Sequence, residues 1–267
     1  MNEQTHFTSK GSDLKHEEWL REQKDLWEKR TDSYENLDWV QKEDFLEFMV
    51  DLCEPESHWT ALDAGSGPGG VAAVIEPRVA HVHGIDLTKS MVDLANKKFA
   101  GNDKLTFVQG NVEEMDFDDN TFELVTARMV FHHVDDCIKG LSEILRVLKP
   151  GGRLVLCEGV PPDHRTRERY EQIFALKEKR HTFSEAELIN MFDNAGFSNI
   201  TLTPYFMRQV SLNNWLTNAA ISQEAIDEIR RLHVEADDYF KRIYRILDVN
   251  DDVFMDWKFS FVKGFKG

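Results

Sequence analysis

The sequence predicts an α/β fold: a doubly wound, mostly parallel sheet of about seven strands with helices on its faces. Three observations predict it. Short apolar runs alternate with helical stretches through the middle of the chain, the rhythm of βαβ units. The first of these runs, Trp59-Thr60-Ala61-Leu62-Asp63, opens into a glycine-rich loop, Ala64-Gly65-Ser66-Gly67-Pro68-Gly69-Gly70. The helical stretch over 135–148 is closed by Lys149-Pro150-Gly151-Gly152, a stop and a turn.

The elements follow in order. Residues 1–12 are expected to be a flexible N-terminus. From Asp13 the pattern turns helical, with Asp13 as cap and Leu14, Trp19, Leu20 and Trp27 as its apolar residues. A second helix over 37–52 carries Trp39, Val40, Phe45, Phe48, Met49 and Leu52. Together, 13–56 are expected to form a helical lid. The strand over 59–63 is followed by strands over 81–86, 104–109, 122–127 and 153–157, with helices over 70–79, 88–100 and 135–148. A basic, helical stretch spans 163–180. Ser184-Glu185-Ala186-Glu187 is a capping box that opens a helix ending near Gly196. Two more strands are expected over 199–206 and 252–262, separated by a mostly helical segment with Trp215, Tyr239, Phe240 and Tyr244. The expected division is thus a core over 57–206, a helical insertion and substrate lid over 207–252, and a last core strand over 253–267.

The 267 residues suffice for one large domain with an appended lobe, and 41% hydrophobic residues supply its core. The net charge of −16 argues against broad binding to nucleic acid or anionic membrane. Cys53, Cys137 and Cys157 are far apart and have no metal spacing, so free thiols in a reducing cytosol are expected. No secretory signal and no apolar run of membrane-spanning length is visible, and a cytoplasmic protein, monomer or homodimer, is expected.

A strand that ends in glycines lets the backbone come close to a ligand at a helix N-terminus. Asp86 closes the next strand, about twenty residues on, where an acid accepts from ribose hydroxyls. A nucleoside-bearing cofactor is implied, either a nicotinamide dinucleotide or S-adenosylmethionine. Asp63, at the end of the first strand, would repel a pyrophosphate and suit a cationic amino-acid tail.

The stretch Ala61-Leu62-Asp63-Ala64-Gly65-Ser66-Gly67-Pro68-Gly69 resembles motif I of the class I S-adenosylmethionine-dependent methyltransferases. Gly84-Ile85-Asp86-Leu87, Val108-Gln109-Gly110-Asn111-Val112-Glu113, Phe122–Arg128 and Leu148–Leu154 resemble that group's later segments in order and spacing. The nearest resemblance is to small-molecule methyltransferases of the ubiquinone/menaquinone-biosynthesis type, over about residues 59–158. The resemblance implies the roles. Asp63 orders the methionine amino group, Gly65, Gly67 and Gly69 admit the ligand, and Asp86 holds the ribose. Leu87 and Met91 pack on adenine, Asn111 and the Val112 amide meet its edge, and Arg128 sits at the methionine end. Asn111 stands where that subgroup usually has Asp; its amide oxygen also accepts, and a turn role is the alternative.

Methyl transfer from a sulfonium needs alignment and water exclusion more than a dedicated catalytic residue. His132 and His133, after the fourth strand, are the candidate bases, and helix capping or core packing is the alternative for each. No metal is expected at this adjacent pair. Trp19, Trp27, Tyr34 and Trp39 are expected on one wall of an acceptor site, Trp215 and Tyr244 on the other, with plain core as the alternative. Arg165, Arg167 and Arg169 are expected on a solvated face paired with Glu168 and Glu171. The expected function is methyl transfer to a small-molecule acceptor. The alternatives are a nicotinamide-dependent oxidoreductase and a non-catalytic S-adenosylmethionine-binding protein.

Overall fold

The computed structural model describes the backbone of residues 6–267 and side chains from residue 14. Of the segment 1–12, residues 1–5 lie outside the described residues. Helix α1 (His6–Tyr34) starts ahead of Asp13, which therefore lies inside it rather than at its cap. Helix α2 (Glu43–Cys53) follows.

One eight-stranded sheet forms the centre. Strands β1 (Thr60–Ala64), β2 (His81–Asp86), β3 (Leu105–Gln109), β4 (Phe122–Arg128) and β5 (Leu148–Gly159) are parallel. Strands β6 (Ser198–Ser211) and β8 (Asp252–Phe265) complete it antiparallel, in the order β3-β2-β1-β4-β5-β8-β6. Alternation along the central strands feeds two cores. Ala61, Leu124 and Val155 face one side, Leu62, Val125 and Leu154 the other, and all six are fully buried. Burial on both faces is what parallel βαβ strands require, and each large apolar side chain so buried contributes roughly 1.5–3 kcal/mol.

Helices α3 (Gly70–Ile75) and α4 (Lys89–Lys98) pack with α2 on the first face. Helices α5 (Cys137–Val147) and α7 (Glu185–Ala195) cover the second. The Ser184 capping box forms: its hydroxyl accepts from Glu187 N–H, and the Glu187 carboxylate accepts from Ser184 N–H. Helix α6 (Arg167–Ala175) precedes it, and α8 (Leu212–Thr217), α9 (Gln223–Val234) and α10 (Asp238–Tyr244) fill the segment between β6 and β8.

Two local features depart from expectation. The eighth strand, β7 (Leu247–Val249), pairs with the start of β8. Asn250 and Asp251 between them have φ of 52° and 62°, the two left-handed residues of a tight hairpin turn, which short polar side chains tolerate. Lys149–Gly152 does turn, but inside β5: Phe122 pairs with Leu148 and Leu124 with Arg153, so the extra residues bulge out of the ladder. Among the described residues no helix is long and apolar enough to cross a membrane, and Cys53, Cys137 and Cys157 are unpaired.

Candidate active site

The strand order reverses between β1 and β4, so crossovers leave in opposite directions and open a crevice at their carboxyl ends. The glycine loop crosses it. Gly65, Gly67 and Gly69 have φ of +68°, +51° and +84°, a region glycine enters without penalty. Their surroundings differ. A Cβ at Gly65 would stand 2.3 Å from Val130 Cγ2, and one at Gly69 would stand 2.7 Å from Phe107 Cζ. At Gly67 the nearest atom, Tyr34 Cε1, is 3.9 Å away, so this glycine alone of the three borders open space. Gly67 N–H and Thr88 N–H both donate to the Asp86 carboxylate, at 2.9 Å each. Burial pushes the Asp86 carboxyl above its usual range, and its remaining lone pairs are available to a ligand.

A cavity lies over the loop. It is lined by Gly65, Gly67, Asp86, Leu87, Met91, Asn111, Val112 and Arg128, and by Trp27 and Tyr34 of α1. Asn111 Oδ1 accepts from Glu113 N–H at 3.0 Å, so the side chain shapes its own turn while bordering the cavity. Asp63 and Gly69 are not on the wall. Asp63 lies beneath the loop, 2% exposed, where Oδ1 accepts from Thr126 Oγ1 at 2.9 Å and Oδ2 has no partner. Burial pushes its carboxyl up to about 7. Arg128 donates to Val40 O at 3.1 Å and lies against the Trp39 ring, tying the end of β4 to the segment before α2.

A second cavity adjoins the first. Trp27, Tyr34, Met129 and His133 line both. His132 and His133 have ring centroids 4.1 Å apart, but their surroundings differ. His132 Nδ1 lies 2.5 Å from Glu158 Oε2, and His132 N–H donates to Glu158 Oε1. His133 is edge-on to Trp27, its carbonyl accepts from Trp19 Nε1, and both ring nitrogens are buried without a partner. Burial, reinforced by the adjacent His132, holds His133 well below the usual imidazole range, so it is neutral at pH 7.

Trp27, Tyr34, Trp39, Trp215 and Tyr244 all line the second cavity; Trp19 instead stacks on His181. Arg167 pairs with Glu171 and Glu187, not Glu168; Arg165 lies over the Tyr239 ring and Arg169 donates to Leu232 O. Sequence reasoning missed the charged wall of this cavity. Arg30, Lys177, Glu178 and Arg180 have side chains no more than 9% exposed. Glu178 Oε2 accepts from Arg30 Nη1 and Lys177 Nζ, each at 2.5 Å. The run Lys177-Glu178-Lys179-Arg180 has the composition of a solvated face, and no local signal distinguishes it from one. Glu158 had a weak signal, an acid at the ligand edge of a parallel strand. His132, His133 and Glu178 converge within 4.8 Å, but with three cations around the one carboxylate a further metal cation is electrostatically disfavoured.

The sequence pattern of a methyltransferase domain family matches residues 62–156. A demethylmenaquinone methyltransferase of Clavibacter sepedonicus is 38% identical over 111 residues, 41% of this chain and 45% of that enzyme. The chain therefore spans under half of that relative. A demethylmenaquinone methyltransferase of Staphylococcus aureus is 30% identical over 181 residues, 58% of this chain and 70% of the enzyme. The crystal structure of the YcgJ protein of Bacillus subtilis shares the fold, with a TM-score of 0.73 at 24% identity over 83% of this chain and 97% of that one. With the switch-point crevice and the glycine loop in place, these likenesses identify the chain as a member of the class I S-adenosylmethionine-dependent methyltransferases.

Proposed function

We propose that the chain transfers a methyl group from S-adenosylmethionine, held over the glycine loop, to a small molecule held in the adjoining cavity. The wall shared by the two cavities carries this reading: Trp27, Tyr34, Met129 and His133 border both, so two ligands would meet there. The residues fit the cofactor. Gly67 borders open space, and the unpartnered Asp63 Oδ2 beneath the loop suits a cationic neighbour. Asp86 would hold the ribose, Leu87 and Met91 the adenine face, and Asn111 and Val112 the adenine edge. Gly65 and Gly69 keep the loop's path, and Arg128 stiffens the methionine end. Bound there, S-adenosylmethionine supplies an electrophilic methyl group activated by its sulfonium charge.

His133, neutral and at the junction, would accept the proton that the nucleophile gives up. His132 is a positioning residue, fixed by Glu158 and packed on His133. Helix α1 and the segment 207–252 would act as lids that exclude water, in a cytoplasmic monomer or homodimer. Calorimetry with S-adenosylhomocysteine, beside a thermal-shift comparison with NAD(H), tests the cofactor. Stabilisation by NAD(H) and none by S-adenosylhomocysteine would overturn the assignment. Tight S-adenosylhomocysteine binding without turnover across a panel of hydroxyl, amine, thiol and carbon acceptors would leave a binding protein.

A further inference from the structure

The second cavity is apolar over most of its wall, with Trp27, Trp39, Phe174, Trp215, Phe240 and Trp257 among its lining side chains. Their rings are edge-packed on one another, as in Trp215–Trp257 at 5.2 Å and Phe174–Trp215 at 5.3 Å, so the space between them is shaped by flat faces. Into this apolar wall the fold has buried an unbalanced set of charges. Arg30, Lys177 and Arg180 share the single carboxylate of Glu178, with Arg180 Nη1 the most distant at 3.5 Å. Glu158, the other buried acid nearby, is engaged by His132. Counting Glu158 as ionised still leaves one positive charge in excess. Lys258, also on the wall, is matched separately by Glu185 at 2.9 Å. His233 is neutral: burial lowers it to about 4.

Arg180 is the least satisfied of the three cations. Its side chain is 2% exposed, its Nε donates to the His181 carbonyl, and its Nη2 has no partner. A buried guanidinium nitrogen without an acceptor is costly, as is an unmatched buried charge. Both costs vanish together if a ligand brings an oxygen carrying one negative charge. The unpartnered Nη2 of Arg180 calls for one such oxygen, and an amine would add to the surplus. The methyl donor's site does not supply the missing charge, because it lies beyond the shared wall and its ligand's reacting centre is cationic.

We infer that the acceptor is a ring-bearing, mostly apolar molecule with one monoanionic oxygen group, a carboxylate, that pairs with Arg180 while the ring system lies between the aromatic side chains. This rests on the methyltransferase reading above and gives that site its substrate class. His133, on the same wall, then meets the part of the acceptor nearest the cofactor cavity.

The test is calorimetric titration of the protein, saturated with S-adenosylhomocysteine, with 2-naphthoate and with its neutral isostere 2-naphthamide. The expected result is at least about tenfold tighter binding of the acid, the scale of one charge-assisted hydrogen bond. In Arg180→Gln that preference should fall to under about threefold, with S-adenosylhomocysteine affinity retained. Equal binding of the two ligands by the unmodified protein, preference for the amide, or binding of neither at millimolar concentration overturns the inference. Should Arg180→Gln fail to fold, the comparison on the unmodified protein still decides. Failure of the acid preference with S-adenosylhomocysteine still bound sinks the acceptor class alone, whereas loss of S-adenosylhomocysteine binding sinks the underlying reading.

Discussion

The imidazole of His132 and the carboxylate of Glu158 form a buried pair, Nδ1 to Oε2 at 2.5 Å, directly behind the His133 ring. Burial moves the two in opposite directions. It raises Glu158 to about 7 and pulls His132 well below the usual imidazole range. Both shifts favour uncharged forms.

That pairing makes a pH prediction. Across roughly pH 4.5 to 7 the folded state keeps a proton on Glu158 that the unfolded chain has released, so this group's contribution to stability is present below the window and lost as pH rises through it. His132 acts oppositely, costing stability as pH falls below about 6.5. In Glu158→Gln the first contribution is gone. Urea unfolding at pH 5, 6 and 7 should give a stability difference, unmodified protein minus variant, that shrinks as pH rises. A difference independent of pH would dismiss the raised carboxyl.

Asp86→Ala should weaken S-adenosylhomocysteine binding by well over tenfold, because charge-assisted bonds to ribose are lost and Gly67 N–H and Thr88 N–H lose their acceptor. Asp86→Asn, which keeps an acceptor oxygen, should lose less. Calorimetry showing unchanged affinity in Asp86→Ala would remove the ribose role.

Two glycines of one loop should respond differently to the same substitution. Gly69→Ala drives a Cβ to within 2.7 Å of Phe107 and 2.8 Å of Phe99, and should cost about 1–3 kcal/mol of folding stability. Gly67→Ala meets no atom closer than 3.9 Å and pays mainly its φ of +51°, on the order of 1 kcal/mol, while its methyl group enters the cavity proposed to hold the cofactor. Its larger loss should be in S-adenosylhomocysteine affinity. Denaturant melts and calorimetry on both variants check this; equal stability losses with equal affinities would contradict it.

His133→Ala should lower kcat by about 10²–10⁴ once an acceptor is identified, with S-adenosylhomocysteine affinity changed only a few-fold. His132→Ala should act through position, lowering kcat less and disturbing the pH profile. Single-turnover rates separate the two. Full activity in His133→Ala would leave proton removal to solvent or to the acceptor itself.

The sequence by itself determined the parallel half of the sheet and the glycine loop with the acid that follows it. Alternating apolar runs, the loop around Gly67, the acid at Asp86 and the capping box at Ser184 are local patterns, and local sterics and hydrogen bonding suffice to set them. Its limits lay where local pattern and outcome part. Lys149–Gly152 turns but stays within a strand, and Asn250-Asp251 makes a hairpin too short to stand out. Only the tertiary structure decided the second cavity, proposed above to hold the acceptor. Arg30 on α1, the neutral His132–His133 pair after β4, and Lys177, Glu178 and Arg180 after α6 are far apart in the chain, and they are buried because separate apolar surfaces close over them. Burial of a charge depends on which distant faces meet, and no periodicity within one segment encodes that. Asp63 is a case of the same kind: its place in the chain is at the carboxyl end of β1, but the fold puts it under the loop with one oxygen still unpartnered.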